Sequence, residues 1–199
     1  MNTLFSSFWM IFSNKSERIK EEKKVIRREI RDKKSDLTEE QKQKEAFSVF
    51  KKIEQLLEFK QADSILMYWS TGDELPTQDA INKWVTTKTI LLPSIKGHKM
   101  VLKKFFPEAP MIQRQLGIWE PDLPNVYDGK IDLVIVPGIA FDRKKNRLGR
   151  GKGYYDRFFA RNKALKIGVG FDFQLMDKIP IERTDKRMDK IITMLDIIE

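Results

Sequence analysis

Leu133 to Val136 is a continuous apolar run that Pro137-Gly138 ends, and Gly149-Arg150-Gly151-Lys152-Gly153 later leads into Tyr154-Tyr155-Asp156 and an apolar-periodic segment. A short apolar run bounded by Pro-Gly reads as a buried strand, and the segment after the glycines reads as a helix. Strand, glycine loop and helix together present backbone N–H groups and a helix N-terminus to an anion. Glycine lets the chain take φ > 0 and lets a phosphate approach the main chain. Arg150 and Lys152 add full positive charges to the same loop.

The charge balance points the same way. The chain carries +9, and residues 143–166 hold ten Lys or Arg against one acid, Asp156, which is also +9. The remainder is therefore balanced, and so local an excess suits a phosphorylated ligand better than a diffuse nucleic-acid surface. A solvated basic loop with glycines for flexibility is the plain alternative. The loop is not a Walker A motif, because no Ser or Thr follows Lys152. Nor is it a dinucleotide fingerprint, since it begins about a dozen residues after the strand.

The 21-residue run from Pro137 to Arg157, PGIAFDRKKNRLGRGKGYYDR, closely resembles the signature of the 5-formyltetrahydrofolate cyclo-ligase (methenyltetrahydrofolate synthetase) family. That signature is roughly P-G-x-x-F-D-x-x-x-x-R-L-G-x-G-x-G-Y-Y-D, and the resemblance extends over about residues 20–195. It implies a three-layer α-β-α fold and a reaction in which ATP and 5-formyltetrahydrofolate give 5,10-methenyltetrahydrofolate, ADP and phosphate.

The whole chain is compatible with this. At 199 residues it suits one domain, and 41% hydrophobic with 34% charged residues reads as globular. Without cysteine there are no disulfides or thiolate metal sites, and the one histidine, His98, excludes His-rich metal sites and argues against a Ser-His-Asp triad. His98 sits in an expected hairpin turn, Lys96-Gly97-His98-Lys99. Residues 3–12, TLFSSFWMIF, are too few for a membrane span and lack the basic start of a signal peptide. We expect residues 1–15 to be an N-terminal extension and 16–199 to form one α/β domain. That domain should be Rossmann-like, with a mostly parallel sheet and an antiparallel edge. A cytoplasmic monomer, with no nucleic-acid or membrane partner, is the matching expectation.

Candidate residues follow along the chain. Residues 16–34 read as a helix with an apolar stripe, Ile19, Ile26 and Ile30, beside a basic stripe, Lys23, Arg27 and Arg31. Such charge is usually a solvated face, but Lys23 and Arg27 match the family's Lys-x-x-x-Arg that contacts the nucleotide. Thr38-Glu39-Glu40-Gln41 is a capping box, and the helix after it should bury Ala46, Phe47, Phe50, Ile53, Leu56 and Leu57. Ser64 to Trp69 reads as a strand ending in the polar loop Ser70 to Thr77. There Glu74 resembles the family's folate-holding acid, while Trp69 either flanks the pterin or belongs to the core. The segment Leu116 to Pro121 resembles one near the folate, so Trp119 either stacks on a ring or serves an interface or the core.

By resemblance, Arg147, Leu148, Gly149, Arg150, Gly151, Lys152, Gly153, Tyr154 and Tyr155 bind ATP, and Arg150 to Tyr154 also meet the folate. Arg150 and Lys152 would act on the transferred phosphoryl group. Asp156 and Asp189 would carry Mg²⁺, a hard ion suited to carboxylates. Two departures stand out: Phe171-Asp172-Phe173-Gln174 where the family has Ala-Phe-x-x-Gln, and Thr184 where it often has a histidine before the aspartate. The competing readings are a nucleic-acid-binding protein stacking bases on Trp119, Tyr154 and Tyr155, and a transferase- or isomerase-like enzyme that shares the architecture but leaves the Arg/Lys glycine loop without a role.

Overall fold

The computed structural model describes residues 3–114, 117 and 119–199, with side chains from residue 15 onward. Three helices open the chain: α1 (Thr3–Ser35), α2 (Glu39–Gln55) and α3 (Leu57–Gln61). Strand β1 (Ser64–Leu66) leads through α4 (Gln78–Trp84) to the hairpin β2 (Thr89–Lys96) and β3 (Lys99–Lys104). A second small hairpin, β4 (Met111–Gln113) and β5 (Trp119–Pro121), precedes β6 (Leu133–Pro137). Then come β7 (Ala140–Asp142), β8 (Arg147–Leu148), α5 (Tyr154–Phe159), β9 (Leu165–Val169), β10 (Leu175–Met176), β11 (Lys190–Ile192) and β12 (Ile197–Ile198). The boundary expected at residue 15 falls inside α1, and the side chains of residues 1–14 of the expected extension lie outside the described residues. So do Leu116 and Ile118.

The main sheet runs β12-β11-β9-β6-β1-β2-β3. The five inner strands are parallel, and both edge pairs, β11 with β12 and β2 with β3, are antiparallel. One antiparallel edge was expected from the Gly97-His98 turn. The second arises because β12 is only two residues long and follows β11 through a tight turn, where Asp196 N donates to Thr193 Oγ1.

Strand periodicity divides the core. Leu133 and Ile135 face one way, with Ile65, Ile90 and Ile167, onto Val49, Phe50 and Ile53 of α2, Phe59 of α3 and Ile81 and Trp84 of α4. Val134 and Val136 face the other way, with Leu66, Leu91 and Ile191, onto Phe159 of α5 and Phe141 of β7. These are the expected three layers. A small sheet, β10-β7-β8, lies across one end, and Ile26 and Ile30 of α1 pack on it against Ala140 and Leu148.

The capping box is present: Gln41 N donates to Thr38 Oγ1 at 3.2 Å and Thr38 N to Gln41 Oε1 at 2.8 Å. Two of the positions expected to be buried are not. Phe47 is 70% exposed and Leu57 64% exposed, because α2 presents Val49 and Ile53 to the sheet and Phe47 falls on the opposite side of that stripe.

Strand order also places the functional region. From β1 the chain crosses by α4 to β2 on one side, and from β6 it crosses by α5 to β9 on the other. The carboxyl ends of the adjacent strands β1 and β6 thus form a topological switch point, where open α/β sheets leave a crevice.

Candidate active site

A cleft of about 1020 Å³ occupies that crevice. One wall is the glycine loop after β8. The turn feeding it is fixed by Asp142, fully buried, whose carboxylate accepts from Lys144 N, Asn146 N and the Asn146 amide at 2.8–3.1 Å. This closes the β7–β8 turn and sends Arg147 inward. Leu148 is packed under α1 and pairs by backbone with β7, so it shapes the wall. Gly151 (φ +96°) and Gly153 (φ +66°) both adopt backbone that side chains resist, and Gly153 is the residue before α5.

The loop is braced on every side. Arg27 Nε donates to Gly149 O at 2.9 Å, and an added Cβ on Gly151 would lie 3.4 Å from the Arg27 guanidinium. Tyr154 Oη donates to Gly97 O at 3.2 Å, and Arg157, stacked on the Tyr154 ring, donates to His98 O and Lys152 O. The β2–β3 turn that holds His98 therefore supports the loop through its backbone. Lys152 lines the cleft and is exposed, and its ammonium has no protein partner among the described residues.

Arg150 reaches across the opening. Its Nη2 lies 2.6 Å from Asp73 Oδ1, 3.2 Å from Thr71 Oγ1 and 3.2 Å from Glu74 Oε1. Glu74 also accepts from Thr71 N at 3.0 Å, which closes the loop after β1 on itself.

At the base of the cleft Arg147 bonds Asp156 (Nη2 to Oδ2, 3.1 Å) and lies over the Tyr155 ring. Its Nε and the Tyr155 hydroxyl are buried without a partner. Burial, reinforced by the Glu74 charge, pushes the Tyr155 phenol well up, so it stays protonated and can serve as a donor. Buried polar atoms are normally satisfied, so two orphans beside one cleft mark a place for a ligand or its water. Asp156 Oδ1 accepts from Lys186 N at 3.1 Å.

The α1 side holds an arrangement the sequence did not reveal. Lys23 is 6% exposed, and its ammonium donates to Glu182 at 2.8 Å and Asp185 at 2.7 Å. It lines the cleft, but both acids engage its charge. Burial lowers the Arg27 pKa, with Asp185 and Glu182 partly offsetting. Arg27's two terminal nitrogens have no protein partner among the described residues.

The far end of the cleft is apolar, lined by Trp69, Pro93, Ile95 and Met100, with Trp69 also tilted against Phe105 at 5.5 Å. Trp69 thus serves both the wall and the core.

Two expected site residues are not brought in. Trp119, 38% exposed at the start of β5, is not on the cleft wall. Asp189 precedes β11, at the amino ends of the parallel strands, and is paired there with Lys166 Nζ and N, each at 2.7 Å. The carboxylates that share the cleft with Asp156 are instead Glu74, Glu182 and Asp185, the last next in sequence to Lys186, whose amide Asp156 accepts from. No cluster of three or more metal-ligating acids or histidines occurs among the described residues.

The arrangement offers backbone amides and three guanidinium groups at one end and an apolar slot at the other. Among the described residues it shows no paired nucleophile and base.

A sequence model of the 5-formyltetrahydrofolate cyclo-ligase family matches residues 19–194. The chain is 34% identical over 176 residues to the 5-formyltetrahydrofolate cyclo-ligase of Haemophilus influenzae, covering 83% of this chain and 94% of that relative. Its fold matches the NMR structure of Aquifex aeolicus 5,10-methenyltetrahydrofolate synthetase with a TM-score of 0.80 and 29% identity, over 88% of this chain and 91% of the other. A Mycoplasma pneumoniae 5,10-methenyltetrahydrofolate synthetase shares the fold at a TM-score of 0.69 and 22% identity, over 86% and 98% of the two chains.

Proposed function

The chain belongs to the 5-formyltetrahydrofolate cyclo-ligase family, and from that premise we propose how its cleft divides the work. The activity is the ATP-dependent conversion of 5-formyltetrahydrofolate to 5,10-methenyltetrahydrofolate. ATP lies at the basic end, its phosphates against the Gly149–Gly153 amides, Arg27, Arg147, Arg150 and Lys152. The reduced folate lies in the slot of Trp69, Pro93, Ile95 and Met100, with Glu74 at its polar edge. The observation that carries this reading is the junction of those two ends at one switch point, with Arg150 spanning both loops.

The formyl oxygen is a poor leaving group. It attacks the γ-phosphorus, the bond to the β-phosphate oxygen breaks, and ADP departs. N10 then attacks the activated carbon, the C–O bond breaks, phosphate leaves, and the N10 proton is lost. Such a transfer needs alignment and charge neutralisation more than a protein nucleophile. Arg150 and Lys152 face the transferred group, and Arg147, held by Asp156, gives the fixed charge beneath it. Mg²⁺ is a hard cation suited to carboxylate and phosphate oxygens, and Asp156, with Asp185, would help to hold it; among the described residues no cluster of three or more metal-ligating acids or histidines is present. When bound it supplies further charge neutralisation.

No helix among the described residues is long and apolar enough to cross a membrane, and a cytoplasmic location accords with that.

The test is direct. Purified protein with ATP, Mg²⁺ and 5-formyltetrahydrofolate should release ADP in step with a rise in near-ultraviolet absorbance from the methenyl product. ADP release that ignores the folate but responds to polynucleotide would favour a nucleic-acid role instead.

A further inference from the structure

Three charged groups from three separate segments line up behind the cleft opening. Lys34, in the last turn of α1, is 4% exposed, and its ammonium lies 3.9 Å from Asp73 Oδ2. Asp73 Oδ1 accepts from Arg150 Nη2 at 2.6 Å and from Thr71 Oγ1 at 2.8 Å. The order is cation, anion, cation: helix α1, the loop after β1, the glycine loop. Burial of Lys34 lowers its pKa, which Asp73 and Glu74 partly offset. Burying a lysine is costly unless it is paired, so the structure maintains a charge under Asp73 at some expense.

Asp73 is not itself on the cleft wall, whereas Thr71, Glu74, Arg150 and Gly151 are. Its carboxylate therefore acts on ligands through the cleft residues it bonds, Arg150 and Thr71, of which only Arg150 carries charge. All the protein contacts of the Arg150 guanidinium pass through Nη2. Its Nε and Nη1 have no protein partner among the described residues. A guanidinium is a rigid planar fork, so holding one corner aims the other two. Burial pushes the Asp73 carboxyl up, but the hydrogen bonds it accepts from Arg150 and Thr71, with the charges of Arg150 and Lys34, hold it below its ordinary value, so it remains charged near neutral pH.

We propose that Asp73 is a positioning residue that fixes Arg150 as a bridge between the nucleotide loop and the folate loop, so that each substrate strengthens the binding of the other. The proposal rests on the placement of ATP and folate given above. Either ligand, by ordering its own loop, meets part of the cost of ordering the bridge, and the second ligand binds to a loop already in place. The coupling must be reciprocal.

The test is calorimetric binding of a non-hydrolysable ATP analogue, with and without saturating 5-formyltetrahydrofolate. In the unmodified protein the analogue should bind about fivefold or more tightly with folate present, the lower range of such couplings. In Asp73→Ala that ratio should fall to about one. Asp73→Asn keeps an acceptor for Arg150 but loses the charge, and should retain part of it. The ratio is the readout because a general loss of affinity or stability cancels from it. A ratio of one in the unmodified protein, or an unchanged ratio in both Asp73 variants, overturns the proposal. Arg150→Ala tests the premise separately, since it should weaken the analogue on its own. If it does not, Arg150 is no phosphate ligand and the bridge fails with it.

Discussion

At the scale of single residues, the glycine loop separates shape from charge. Gly151 at φ +96° would be strained by any Cβ, and the new atom would press on Arg27 at 3.4 Å. Strain of this kind costs on the order of 1–3 kcal/mol. Gly151→Ala should therefore raise the KM for ATP by roughly tenfold or more while every charge remains. Lys152→Ala removes a point charge that has no structural partner. It should lower kcat by about two to three orders of magnitude, the size of one preorganised electrostatic donor, with little change in KM. Steady-state kinetics of the two variants check both. A shared, modest loss that salt abolishes would reduce the loop to a basic surface. This loop was legible because alternating glycine and cation is a local pattern, visible without knowing the fold. The acids were not. Asp156 lies within the pattern, but Asp185 and Asp189 are only four residues apart, and which one faces the cleft depends on the end of the sheet each occupies. Spacing along the chain does not encode that.

At the scale of elements, α1 is held to the body by apolar contact and by one clamp. Ile26 and Ile30 pack on β7 and β8, while Lys23 joins Glu182 and Asp185. Lys23→Ala leaves two part-buried carboxylates without the cation they bond, with only the charge of Arg27 still near them. Breaking a fully buried pair costs roughly 3–5 kcal/mol. These acids are partly solvated, so about 2 kcal/mol is expected, a fall in Tm of about 4–8 °C for a chain of this size. Scanning calorimetry measures it. The basic stripe on α1 suggested nucleotide contact for both Lys23 and Arg27. The partners of Lys23 come from a segment some 160 residues away, which no local pattern announces. The amino end of the sheet has its own fastening. Asp132 accepts from Asp63 N, Ser64 N and Ser64 Oγ at 2.9–3.0 Å and pairs with Lys130. The Lys130 hydrogen bond and then, against slight burial, those of Ser64 and Asp63 hold its carboxyl at about 2, below the ordinary 3.8. A lowered carboxyl adds stability above its unfolded value and loses it as pH falls through the folded one. Asp132→Asn should thus cost about 1 kcal/mol at neutral pH, since exposed Lys130 is screened. That difference should shrink between pH 4 and pH 2, as denaturant melts at several pH values would show.

At the scale of the whole molecule, the cleft follows from strand order. The chain leaves β1 towards one edge of the sheet and β6 towards the other, so the two loops that meet at Arg150 belong to opposite halves. The alternation of strand and helix made the layered fold legible, but adjacency of β1 and β6 is a property of topology, and the crevice exists only because of it. A ligand seated there touches both halves and should stabilise the molecule as a unit. At a hundredfold excess over its Kd, an ATP analogue should add about 2.7 kcal/mol, a rise in Tm of roughly 5–11 °C at 2–4 °C per kcal/mol. Salt then distinguishes the source of that gain. The chain's +9 is matched by the +9 of residues 143–166, so a purely electrostatic contact would be concentrated there and screened beyond a Debye length of about 3 Å at 1 M ionic strength. Backbone amides in van der Waals contact with phosphate, inside a partly closed cleft, are screened much less. At constant ligand, the expected result is a shift that falls only slightly in high salt and is larger with folate also present. A shift that disappears as salt is added at constant ligand, and is reproduced by inorganic triphosphate alone, would mean that the anion sits on the basic rim without joining the two halves.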